Sequence, residues 1–175
     1  MRIALVSDTH LPRFGTALPA ALVHGIRERA IDRILHAGDW TDPLAVDLLE
    51  ALARVDGVAG NNDAPELHAR FGTRRLIDIG GVRIGLTHGH LGTGATTPER
   101  AIRAFAGEPG LDAIVFGHSH VPLVREPAGP TGSWLLNPGS PTDRRRQPHH
   151  TYLTATVATG RLSRVRLHRL PPGTP

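Results

Sequence analysis

The sequence predicts an α/β protein of two packed β-sheets with helices on the outside. Three observations predict it. Through the first 63 residues, short apolar runs alternate with segments of helical spacing, and the order strand, helix, strand, helix, strand implies a parallel sheet with right-handed crossovers. From residue 74 onward the pattern is mostly strand and begins with a hairpin. Five successive strand ends also finish in Asp, Asn or His, at the place where open α/β sheets bind ligands.

Each element has its own signal. RIALVS at 2–7 is an apolar run ending at Asp8, as a buried parallel strand would. Leu18, Leu22 and Ile26 recur every four residues and predict a helix over about 19–30. DRILHAGD at 32–39 reads as the second strand, and Leu44, Leu48 and Leu52 place a helix over 43–54, with Pro43 in its first turn. GVAGNND at 57–63 closes the third strand. RRLIDIGGVRIGLTHG at 74–89 predicts a hairpin turning at Gly80 and Gly81. A helix over about 98–106 precedes strands at 112–116, 121–125, 133–136, 151–157 and 161–168.

Bulk composition narrows the function classes. At 175 residues the chain fits a single domain, expected over 1–169, with LPPGTP at 170–175 as a flexible tail. No run approaches the roughly 18 apolar residues needed to span a bilayer. Met1 leads directly into RIALVSD without a signal-peptide pattern, so a cytoplasmic protein with no membrane partner is expected. The chain has no cysteine, which removes disulfides, zinc-thiolate sites and thiol nucleophiles, so a metal must be held by nitrogen and oxygen. The pI near 11.1 reflects a basic set made of arginine alone, while the formal charge is only +4, leaving a modest allowance for anionic ligands.

The histidines and carboxylates cluster at the strand ends. SDTH carries Asp8 and His10, HAGDW carries Asp39, GNND carries Asn61, Asn62 and Asp63, THGH carries His88 and His90, and GHSH carries His118 and His120. Any one of these motifs alone fits a hydrogen-bonded turn or a packed histidine. Five in succession are hard to ascribe to chance. Such a set is costly to bury unpaired, whereas divalent cations satisfy its lone pairs and offset its charge. Neutral His with Asp and Asn suits Mn²⁺, the expected ion, with Fe²⁺, Zn²⁺ or Ni²⁺ as alternatives. Side chains two apart on an extended strand point the same way, so His118 and His120 are expected to serve different ions of a close pair.

As an ordered set from Asp8 to NPGS at 137–140, these motifs resemble the calcineurin-like metallophosphoesterases, in particular the small cap-less bacterial and archaeal phosphodiesterases. The resemblance implies a four-layer fold of two mixed sheets flanked by helices. It implies that Asp8, His10 and His120 hold one metal, that Asn61, His88 and His118 hold the other, and that Asp39 bridges them. Two-metal phosphoester hydrolysis through a bridging hydroxide follows, with ions roughly 3.5–4 Å apart and a small phosphate ester as substrate. Asp63 is expected to orient Asn61 or His10, and His90 to contact the phosphate or support the second metal. Many relatives carry Gly-Asn-His where this chain has Gly-Asn-Asn, so Asn62 stands where a leaving-group acid would be. General-acid help is worth about 10²–10⁴ in rate. Two other readings are kept: a non-catalytic scaffold of the same fold acting through protein contacts, and a nucleic-acid enzyme. The second is hinted at by DRRR at 143–146 and by Trp40 as a stacking surface, but is not favoured. Oligomeric state is not encoded in any recognised pattern.

Overall fold

In the computed structural model, which describes residues 1–129 and 132–171, ten strands form two five-stranded sheets. The first sheet holds β1 (Arg2–Val6), β2 (Arg33–His36), β3 (Arg54–Gly57), β9 (Thr151–Ala158) and β10 (Arg161–Arg169), in the order β10-β9-β1-β2-β3. The second holds β4 (Arg74–Ile79), β5 (Val82–Thr87), β6 (Ala113–Val115), β7 (Leu123–Arg125) and β8 (Trp134–Asn137), in the order β4-β5-β6-β8-β7. Pairing of β1, β2 and β3 is parallel, as the alternating pattern predicts, and β9 and β10 add antiparallel partners on one side. In the second sheet β5, β6 and β8 pair in parallel while β4 and β7 add antiparallel edges, so both sheets are mixed.

Period-two alternation builds the layers. Ile3 and Leu5 face the second sheet and join Ile84, Leu86, Val115 and Leu136 in the central core. Ala4 and Val6, one residue out of phase, face the helices α1 (Ala20–Glu28), α2 (Pro43–Glu50) and α3 (Pro65–Phe71). On the far side, Ile114, Phe116 and Leu135 pack with Ala101 of α4 (Thr97–Ala104). The result is four layers, helices outside two sheets. Local chemistry fixes the helix starts: Asp42 accepts the Leu44 N–H, and Thr96 with Glu99 forms a reciprocal capping box. Gly80 and Gly81, with φ of 54° and 82°, make the expected tight hairpin turn.

Several boundaries differ from expectation. The helix predicted over 43–54 stops at Glu50, because Arg54 to Gly57 must already pair with Arg33 to His36. The third strand, Arg54–Gly57, thus ends at the first residue of the GVAGNND stretch expected to close it, and the chain beyond it turns toward the strand ends. Helix α3 was not predicted; its seven residues show only Leu67 and Phe71 as a buried pair. Leu170 is 5% exposed and its N–H donates to the His150 carbonyl, so the expected tail begins inside the fold, while 172–175 lie outside the described residues. No helix among the described residues is long and apolar enough to cross a membrane.

Candidate metal centre

The loops that leave β1, β2, β3, β5 and β6 at their carboxyl ends meet at one edge of the two-sheet core. Their backbone is unusual. Asp8, His10, Asp39, His118 and His120 all adopt left-handed φ, at 56°, 46°, 58°, 67° and 58°. For a residue with a Cβ this costs about 1–2 kcal/mol, least for short polar residues that hydrogen-bond locally. The expected extended geometry at His118 and His120 is therefore replaced by two successive left-handed corners beyond the end of β6.

Tertiary hydrogen bonds hold these corners. The Asp8 N–H donates to the Gly38 carbonyl at 2.9 Å, and the His10 N–H to the Asp39 carbonyl at 3.1 Å. Ser140 Oγ donates to the Asp8 carbonyl at 2.7 Å, and Thr142 Oγ1 to the Thr9 carbonyl at 2.6 Å. Asn137 Nδ2 donates to the Gly117 carbonyl at 2.9 Å, steadying the approach to His118. Gly117 and Gly60 sit where a Cβ would overlap Ser7 and Asp39 respectively, so the close approach of these loops requires glycine.

Two sets of side chains converge. In the first, His120 Nε2 lies 3.2 Å from Asp8 Oδ1, and His10 Nε2 lies 3.9 Å from the same oxygen and 3.4 Å from His120 Nε2. In the second, His88 Nε2 lies 3.3 Å from Asp39 Oδ2, and the His118 ring centre lies 5.1 Å from that of His88. In each set the three donor atoms lie within 4.8 Å of one another, close enough to hold one metal ion. His10 Nε2 stands 3.7 Å from Asp39 Oδ2, so the sets adjoin at Asp39. Each set draws ligands from both sheets: Asp8, His10 and Asp39 from loops of the first, His88, His118 and His120 from loops of the second.

Outer hydrogen bonds aim the donors inward. His88 Nδ1–H donates to the Ala37 carbonyl at 2.7 Å and His120 Nδ1–H to the Asp143 carbonyl, which turns both Nε2 atoms toward the carboxylates. His10 Nδ1 lies 3.3 Å from the Thr41 hydroxyl. Ser7 Oγ and the His118 N–H occupy Asp8 Oδ2 at 2.6 and 3.1 Å, so Oδ1 is the oxygen left for the centre. Asp8 Oδ1, His88 Nε2 and His118 Nδ1 are buried without a hydrogen-bond partner. Buried polar atoms are rarely left so. One carboxylate oxygen and two imidazole nitrogens of the two sets, with His90 Nδ1 beside them, are thus left for divalent cations.

The carboxylates and imidazoles act strongly on one another. Burial opposes ionisation of Asp8, but His120 and His88 outweigh it and hold the carboxyl below its ordinary range. Asp39 is likewise pulled down, against burial, by His88 and by two hydrogen bonds from Asn62. Burial pushes His10 and His118 toward the neutral form, whereas the carboxylates overcome burial and raise His88 and His120. Burial, with His88 and His118 adding to it, pushes His90 down to about 4. That imidazole is neutral near pH 7.

The remaining expected site residues land unevenly. Asn62, rather than Asn61, reaches Asp39: its N–H donates to Oδ1 at 2.9 Å and its Nδ2 to Oδ2 at 2.7 Å. Asn61 is exposed, and its side chain makes no hydrogen bond to the centre. Asp63 touches neither Asn61 nor His10; it accepts the N–H groups of Asp39, Gly60 and Thr41 and so clamps two loops together. Its position at the end of a tight GNND turn makes backbone its nearest partner. His90 lies at the rim, its ring centre 5.3 Å from His88 and 6.2 Å from His118. Trp40 is fully buried, donates to the Val58 carbonyl and stacks on His36, so it offers no surface to a base. Sequence reasoning missed Ser140, Thr142 and Asp143, because contacts with backbone and side chains of remote loops leave no local signature.

Comparison with known proteins agrees with this geometry. A calcineurin-like phosphoesterase superfamily domain matches residues 1–160. A probable metallophosphoesterase of Methanothermobacter thermautotrophicus is 39% identical over 144 residues, covering 81% of this chain and 78% of its own. Vps29 of Entamoeba histolytica complexed with Zn²⁺ superposes with a TM-score of 0.77 at 23% identity, covering 97% of this chain and 98% of its own. A novel archaeal phosphodiesterase gives a TM-score of 0.73 at 19% identity over 97% of this chain and 100% of its own. These two structural likenesses show the four-layer fold.

Proposed function

The chain belongs to the calcineurin-like phosphoesterase superfamily, and from that premise we propose that it is a metal-dependent phosphodiesterase using two divalent cations. The observation that carries the reading is the pair of adjoining donor sets, Asp8, His10 and His120 beside Asp39, His88 and His118, with orphaned buried atoms in both. Bound there, cations would polarise phosphoryl oxygens and make water nucleophilic near neutral pH. Mn²⁺ is the proposed ion, and the Zn²⁺ of the Entamoeba Vps29 structure supports a site for borderline metals.

The chain's own groups supply position and charge. Asp39 lies within reach of both donor sets, and the two N–H donors of Asn62 fix its carboxylate orientation. If Asn61 joins the second set, as the resemblance implies, its exposed side chain must turn inward on loading. His90, neutral and half-buried at the rim, can donate its one N–H to a phosphoryl oxygen but is not the imidazolium that could protonate a leaving group at neutral pH. Asn62 cannot serve as an acid either, so the leaving oxygen departs without a side-chain proton donor among these groups. The preferred substrates are then diesters with good leaving groups.

The test is metal analysis combined with hydrolysis of an aryl phosphodiester. About two ions per chain and turnover that falls at least ~10³-fold in Asp39→Asn are expected. Tight binding of metal without hydrolysis of any phosphoester would instead favour the scaffold role.

A further inference from the structure

A second polar groove lies at the opposite end of the first sheet. It has a volume of about 290 Å³ and is lined by Arg2, Arg29, Arg164 and Arg166, by Thr154 and Thr156, and by His168, whose Nε2 lies 2.8 Å from Thr154 Oγ1. Arg2 begins β1, whereas Asp8 follows the other end of that strand, so groove and metal centre are separated by its length. Acidic compensation is slight. Glu28 accepts from Arg29 at 3.2 Å; Asp32 is taken by the Arg2 backbone N–H at 2.6 Å. The guanidiniums of Arg164 and Arg166 have no ion pair or hydrogen bond among the described residues.

A β-bulge creates this cluster. Ser163 pairs with Thr156 and Arg166 with Thr154, so Arg164 and Val165 together oppose the single residue Ala155, and Arg164 takes a φ of 51°. Leu162 and Val165, three apart, can therefore both face the central core. Strict alternation from Leu162 would instead turn Arg164 and Arg166 into that core. The extra residue sends both outward, beside the hydroxyls of Thr154 and Thr156 and opposite Arg2 and Arg29.

Like charges gathered this way repel one another unless an anion joins them. We infer that this groove binds a small phosphate-bearing polyanion, with the guanidiniums and threonine hydroxyls on its phosphoryl oxygens. Guanidinium forks suit phosphate geometry. The lining's one ring, His168, is half-buried and stacked on Tyr152 with ring centres 4.7 Å apart, a poor platform for successive bases, which favours a compact phosphate chain over nucleic acid.

Calorimetric titration of the chelator-treated full chain with inorganic tripolyphosphate tests this; chelation keeps phosphate from being held at the metal centre. One-to-one binding is expected, weakened roughly tenfold or more in Arg164→Gln/Arg166→Gln through the lost charge-assisted bonds. Arg2→Gln/Arg29→Gln, on the other wall, should show a like loss and serves as an independent chain should the first pair fold poorly. Arg103→Gln/Arg125→Gln removes equal charge elsewhere and should change affinity by less than about twofold, because screening blunts distant charges. The inference is overturned by an absence of saturable binding, by equal weakening in all three variants, or by duplex DNA binding more tightly than tripolyphosphate.

Discussion

Replacing Asp63 by alanine should loosen the loop that presents Asp39. The Asp63 carboxylate accepts N–H groups from Asp39 at 3.1 Å, Gly60 at 2.7 Å and Thr41 at 2.6 Å, and Asp39 and Thr41 hold left-handed φ of 58° and 79°. A hydrogen bond to a charged group contributes about 1.5–3 kcal/mol, and a buried N–H stripped of its acceptor costs about 1–3. Burial pushes the Asp63 carboxyl up despite these donors, which offsets part of the gain, so the low end applies. Three stripped N–H groups at about 1 kcal/mol each come to about 3 kcal/mol, or a Tm lower by roughly 6–12 °C in a chain of this length. Urea unfolding of the chelator-treated chain measures the first quantity. Metal titration should show affinity reduced about 10–100-fold, as for other groups that orient ligands. Asp63→Asn keeps one acceptor oxygen and should fall between. Were Asp63→Ala to unfold within about 0.5 kcal/mol of the parent while losing activity, the carboxylate would be acting on substrate and the clamp would be wrong.

Other expectations follow from the same geometry. Gly117→Ala would drive a Cβ into Ser7 and against Asp8, so metal binding by the first donor set should fall at least ~10-fold with little change in far-UV circular dichroism; unchanged affinity would refute that packing. Burial pushes His36 down to about 3, so as pH falls below 6.5 the unfolded chain takes up a proton that the folded chain refuses. Stability present above pH 6.5 is then lost on acidification, by about 2 kcal/mol at pH 5 from this residue, and His36→Gln should flatten the slope measured in chelator. Without a leaving-group acid, an aryl diester should show higher kcat/KM than an unactivated alkyl monoester, by about 10²-fold or more; the reverse order in a paired assay would require a proton donor.

Legibility in the sequence tracked how local each cause was. The first strand and the hairpin at Gly80 and Gly81 were readable because alternation and turn chemistry are encoded within a few residues. The end of strand β3 was misplaced since its paired residues, Arg54 to Gly57, are half polar, while the buried Val58 and Ala59 beyond them mimic strand character. Helix α3 offered two apolar contacts, too few to show a period. At the centre, Asp, Asn and His at successive strand ends announced the donors themselves. Their support stayed hidden, because Ser140, Thr142 and Asp63 work on backbone groups of loops remote in sequence. Left-handed φ at Asp8 or His118 leaves no mark in a non-glycine residue.

Because each donor set is completed only by a side chain from the other sheet, the order of synthesis matters. A ribosome that has released the chain through residue 117 has delivered Asp8, His10, Asp39 and His88, yet no finished triad. His118 and His120 arrive together, and the carbonyl that steers His120 comes with Asp143. Cation capture thus waits until most of the polypeptide has emerged, and it then cross-braces the earliest strand against the sixth. A thousandfold excess of metal over its Kd would lock that brace with about 4 kcal/mol, making loading a late seal on a completed fold.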